Sequence, residues 1–182
     1  MKKRFKNAAV FLFAALVGTT YAQSDKTEKL MTDAQEAKKA LIEADSGLNT
    51  FFNNSAGYVI FPNVGKGGLI VGGASGNGVL YENGIAVGTA GLKKLNIGLQ
   101  AGGQSIIEVI FFETEGDIKT FKEEDFSFAA EASAVAVKSG IAVNAKYKDG
   151  VAVFALPKAG LMANASVGGQ KFSYDDFEAN DK

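Results

Sequence analysis

Histidine and cysteine are both missing from this 182-residue chain, and no run of apolar residues is long enough to cross a bilayer as a permanent helix. Without cysteine there is no thiolate nucleophile, no disulfide and no lipobox sulfur to acylate. Without histidine the usual general base is missing, and with both absent the standard zinc ligands are gone. Hydrolysis by a serine would need a G-x-S-x-G elbow, which Gly73-Ala74-Ser75-Gly76 and Gly103-Gln104-Ser105-Ile106 both miss. The clustered carboxylates Glu113, Glu115 and Asp117, Glu123, Glu124 and Asp125, and Asp175 and Asp176 fall in polar stretches that read as solvated surface. No D-x-[DN]-x-[DN]-G calcium loop occurs. The expectation is a non-catalytic protein with no metal and no cofactor.

What is present begins with an export signal. Lys2, Lys3, Arg4 and Lys6 precede an apolar stretch from Ala8 to Val17, and Thr20-Tyr21-Ala22 supplies small residues where a signal peptidase reads. Cleavage after Ala22 and a periplasmic or secreted location are expected, with any membrane attachment noncovalent. Loss of residues 1–22 removes four of 19 basic residues and none of 20 acidic ones, leaving 15 against 20 and a net charge of -5. An acidic domain without clustered Lys and Arg is a poor nucleic-acid ligand. Residues 23–182 fit one domain with a core large enough to stand without crosslinks.

Two periodicities divide that domain. In 24–54, Leu30, Ala34, Ala37, Leu41, Ala44, Leu48 and Phe51 recur at helical steps, with Asp33, Glu36, Lys38, Lys39 and Glu43 on the other faces. Ser24 or Thr27 is a candidate cap, and Gly47 or Asn53-Asn54 a candidate end. Six acids against four lysines between Asp25 and Asp45 argue for a helix packed on a sheet rather than laid on a membrane.

From Gly57 the period becomes two. Candidate strands are 57–61, 68–74, 78–81, 85–90, 96–102, 105–112, 126–137, 141–147, 151–156 and 161–172. Asn83-Gly84 and Asp149-Gly150 read as hairpin turns, since both central positions there favour positive φ. Ile118 to Glu124 reads as a short helix. The glycine pairs 72–73, 102–103 and 168–169 suit bulges or coiling of a sheet. The expected fold is α+β and mainly β: a twisted antiparallel sheet forming a small barrel or sandwich over 57–174, covered by the N-terminal amphipathic helix, with a short tail from 175.

The densest chemistry lies in Gly57 to Gly73, GYVIFPNVGKGGLIVGG, where glycines surround Lys66. It is neither a Walker loop nor a dinucleotide fingerprint: Ile60 stands where the first Walker glycine belongs, Gly67 follows Lys66, and Ile70 occupies the last fingerprint position. Glycine-rich strand crossing and an anion site remain as the two readings. In the second, bare amides around Gly65, Gly67 and Gly68 sit beside the Lys66 ammonium as an anion nest, with Lys93 and Lys94, expected between the 85–90 and 96–102 strands, as further cations. Tyr58, Phe61 and Pro62 beside the turn read either as core or as apolar contacts for a ligand.

GYVIFPNVGKGGLIVGGASGNGVLY, then IGLQAGGQSIIEVIFF, FSFAAEASAVAV and GLMANASVGGQKFSY, resembles the SYLF domain, also called the Ysc84 or DUF500 family, over most of 34–174. The resemblance implies a lipid-binding module that prefers phosphoinositides or other anionic lipids, and, in eukaryotic members, actin binding beside an SH3 domain. An exported chain meets no actin, so the expected partner is anionic phospholipid or a related amphiphile. A structural or protein-interaction module of the cell envelope is the alternative.

Overall fold

The computed structural model describes residues 5–65, 74–96, 105–123, 127–128, 135–158 and 168–177. Helix α1 (Phe5–Ala44) and helix α2 (Leu48–Asn54) precede strands β1 (Gly57–Val64), β2 (Ala74–Glu82), β3 (Ile85–Asn96) and β4 (Ile106–Phe112). Helix α3 (Glu115–Lys122), the two-residue strands β5 (Ser127–Phe128) and β6 (Val135–Ala136), a 3₁₀ turn (Ala142–Asn144), β7 (Val151–Pro157) and β8 (Gly168–Asp176) follow. All eight strands join one sheet in the order β5-β8-β3-β2-β1-β4-β7-β6. Every pairing is antiparallel except β6 with β7.

The mainly β, α+β class is as expected, but among the described residues the sheet is open, with β5 and β6 as its two unpaired ends. It is nevertheless strongly curled. Phe61 on β1 and Phe172 on β8 have ring centroids 6.0 Å apart, although β2 and β3 lie between their strands and a flat sheet would separate the backbones by roughly 14 Å. The ends are drawn together too. Only seven residue steps link Phe128 to Val135, a reach of at most about 25 Å, whereas eight flat strands span roughly 33 Å.

Alternation along the strands builds a core on each face. Val59, Phe61, Leu80, Leu92, Ile110, Phe112 and Phe172 fill the concave side together with Ile118 and Phe121 of α3. Gly78 is required there, because a Cβ would stand 2.6 Å from both the Phe61 ring and the Ile60 carbonyl oxygen. On the convex side Tyr58, Ile60, Val79, Val109, Phe111 and Phe154 meet Ala34, Ala37 and Leu41 of α1 and Leu48, Phe51 and Phe52 of α2. The alanine-rich stripe thus packs on the sheet, its small side chains letting the helix approach closely. Lys38 fastens the contact: its ammonium donates to the Tyr58 hydroxyl at 2.9 Å and lies 4.6 Å from the Phe52 ring centroid.

The expected single helix over 24–54 is two helices, and the first runs back to Phe5 through Ser24 and Thr27, neither of which caps it. The break at 45–47 has an electrostatic reason. Asp45 is 3% exposed. Its carboxylate accepts from the amides of Ala142 at 2.8 Å and Gly47 at 3.0 Å. Burial alone would raise its pKa, but bonds from the amides of Ala142, Gly47, Gly140 and Ile141 outweigh burial and hold the carboxyl below its ordinary value. Such a group stabilises the fold above its unfolded pKa, and that contribution is lost as pH falls through the lowered folded one. Asp45→Asn is expected to cost about 1–3 kcal/mol at neutral pH. Urea midpoints of the two proteins should converge at strongly acidic pH; a constant gap would contradict this account.

Other departures share a cause in tertiary contact. Residues 141–147 hold a 3₁₀ turn, not a strand, since the 140–142 amides serve Asp45. The Asp149-Gly150 turn has the expected positive φ at 51° and 78°, but what it closes is the isolated bridge Lys148 to Val151. Asn83-Gly84, at 51° and 80°, does connect β2 to β3. Helix α3 starts earlier than expected, at Glu115, because Thr114 and Asp117 form a reciprocal capping box. Of the expected 126–137 strand the described residues show β5 and β6, at opposite ends of the sheet, and the rest lies outside them, while β8 runs through Asp175 and Asp176, which were expected in the tail. The glycine pair 168–169 opens β8, while pairs 72–73 and 102–103 lie outside the described residues.

Candidate functional site

Strand register assembles a row of residues across the top of the sheet. Gly65 bridges to Ser75, Ser75 pairs with Lys93, Lys93 pairs with Lys171, and Lys171 pairs with Ser127. Directly opposed residues in antiparallel strands share a face. Phe172 and Leu92 point into the concave core, so Lys93 and Lys171 point to the convex side, where both are exposed. Like charges directly opposite each other repel, and among the described residues neither ammonium has an ion-pair partner.

Strand register brings two of the candidate residues near one another. Gly65 and Lys93 stand in one row with Ser75 between them. Lys93 and Lys94 lie inside β3 rather than in a loop, and Lys94 pairs with Ala74 and Gln170. Lys66, Gly67 and Gly68 lie outside the described residues. Tyr58 at 3% and Phe61 at 0% exposure are core and offer no apolar contact to a ligand, and Pro62 is largely buried, away from the lysine row. Lys171 is the residue the sequence reading missed. The alternation Lys171-Phe172-Ser173-Tyr174 places its side chain opposite the aromatics, but nothing in the chain's order shows that it faces Lys93, some 78 positions away.

One pair of residues further along the same strands, a cleft of about 500 Å³ opens between α1 and the convex side of β2, β3 and β8. Asn77, Gly91 and Ser173 form its nearer row and Thr89 with Asp175 its farther one. Lys26 and Lys29 line it from the helix, where Lys29 reaches Asp33 at 2.7 Å. A second cleft of about 460 Å³, on the other flank of α1, carries Ala40, Pro62 and Leu156 with Asp33 and Glu36 at its edge. Its one cation, Lys158, donates to Asn63. The first cleft therefore carries two lysines and lies next to the Lys93–Lys171 row, whereas the second carries one. No group of three or more metal-ligating side chains occurs among the described residues, and no described helix is long and apolar enough to cross a membrane.

The Ysc84 family model, described as Las17-binding protein actin regulator, matches residues 93–182, a stretch that includes both Lys93 and Lys171. Beta cell expansion factor A of Aeromonas veronii is 28% identical over 168 residues, a match covering 84% of this chain and 64% of that relative. The chain thus spans less than two thirds of the relative's length. The family match agrees with the sequence resemblance and leads to one conclusion: over residues 93–182 the chain is similar to the SYLF, or Ysc84, family.

Proposed function

We propose that this chain is an exported, non-catalytic lipid-binding module that captures anionic phospholipid. The observation that supports it most is the Lys93–Lys171 pair: two exposed ammonium groups set face to face by strand register, beside the Ser75 hydroxyl. A phosphate between the two cations would relieve their mutual repulsion and accept from both, and the hydroxyl would donate a further hydrogen bond. Pairing of β3 with both β2 and β8 fixes where the two lysines leave the backbone. Export is part of the same reading, with cleavage after Ala22 releasing the folded domain to a membrane surface.

Flotation of the purified protein with phosphatidylcholine vesicles, with and without an anionic phospholipid, tests the proposal. Binding is expected only where the anionic lipid is present and should weaken as salt shortens the Debye length. Equal flotation with neutral vesicles, or binding indifferent to salt, would discard it.

A further inference from the structure

We infer that the cleft beside the lysine pair reads hydroxyl groups, so that the preferred ligand is a phosphate ester of a small polyol, glycerol being the simplest. The inference rests on the anionic-lipid reading above and adds a selectivity that charge alone does not supply.

The argument is one of spacing and chemistry. Lys93 and Lys171 lie in one row, Gly91 and Ser173 in the next on the same face, and Thr89 with Asp175 in the one after. Rows on one face are two residues apart, roughly 7 Å along the strand. A phosphate held at the lysine row therefore brings a group two or three carbons away over Ser173 and Asn77, at the mouth of the 500 Å³ cleft. The polar groups waiting there suit hydroxyls. Ser173 and Thr89 donate and accept, the Asn77 amide does both, and the Asp175 carboxylate accepts only. The carboxylate can take two hydrogen bonds from adjacent hydroxyls, so this end of the cleft favours a diol. Gly91 keeps the floor open: a Cβ there would stand 2.5 Å from the Ser173 Oγ. The Ser173 hydroxyl therefore lies over the glycine rather than being crowded out.

The test uses two lipids of equal charge. Vesicles of phosphatidylcholine carrying phosphatidylglycerol are compared with vesicles carrying the same fraction of phosphatidylmethanol, which has the same phosphodiester and no free hydroxyl. About fivefold tighter binding to phosphatidylglycerol is expected, the equivalent of one retained hydrogen bond. Ser173→Ala and Asp175→Asn should bring that ratio close to one while leaving phosphatidylmethanol binding at least as strong. Free glycerol 1-phosphate distinguishes the source of the ligand: displacement at low concentration marks a soluble phosphate ester, and its failure marks the lipid. Equal binding of the two lipids by the parent protein, or a ratio unmoved by both substitutions, overturns the inference while the anionic-lipid reading stands. Absence of binding to either lipid overturns both.

Discussion

Replacing Lys93 and Lys171 together by alanine should weaken binding to anionic vesicles about thirtyfold, since a cation near such a surface contributes roughly 1 kcal/mol and each 1.4 kcal/mol is a factor of ten. The loss should be largest at low salt and shrink as ionic strength rises. Folding should survive the change. Both side chains are exposed, substitutions at such positions usually shift stability by no more than about 0.5 kcal/mol, and removal of a directly opposed like-charge pair acts in the stabilising direction. An unchanged or slightly raised urea midpoint beside a large fall in vesicle binding is the expected combination. Lys39 and Lys146 are also exposed, on α1 and beyond the 3₁₀ turn. Alanine at those two positions removes the same total charge and is expected to cost far less. Equal losses from the two double variants would reduce the effect to net charge and dissolve the site.

Phe111→Ala carries the largest expected effect on stability, about 3–5 kcal/mol. The ring is fully buried at 0% exposure, with centroids 4.8 Å from Phe52, 5.3 Å from Phe51 and 5.9 Å from both Tyr58 and Phe154. It is the point where α2 is seated on β1, β4 and β7, so truncation opens a cavity bounded by rings from three elements that cannot all relax inward. Against a typical domain stability of about 5–15 kcal/mol, that is a large fraction of the whole. Urea denaturation should show a sharply lower midpoint with an unchanged slope. Phe111→Leu keeps most of the volume and should cost much less. If alanine and leucine proved equally mild, the convex core would be softer than its ring geometry indicates.

The parts of the fold legible in the chain were those governed by neighbours in sequence. The stripe of Leu30, Ala34, Ala37 and Leu41 marks a helix face by spacing alone, and Asn83-Gly84 marks a turn because few other residues tolerate its φ of 51° and 80°. The capping box of α3 was also written there, as Thr114 and Asp117 three residues apart, though with aspartate in place of the commoner glutamate. Residues 141–147 went wrong for the opposite reason. Their alternation suits a strand, but Asp45 draws the 140–142 amides to itself from 97 positions away. Lys93 and Lys94 were misplaced similarly: two charged residues look like a loop, and only pairing with β2 and β8 carries β3 through them.

Composition and local pattern by themselves settled the mainly β class, the covering helix, the hairpin between β2 and β3, and the lack of histidine and thiol chemistry. Those properties follow from residue identity or from spacings of two to four positions. The folded chain alone decided that the sheet curls without closing among the described residues, that Tyr58 and Phe61 are core, and that Lys171 stands opposite Lys93 beside an open cleft. Each of these depends on which strands become neighbours and in what register. That choice is made by burying two cores at once, a global condition that no short window of sequence contains.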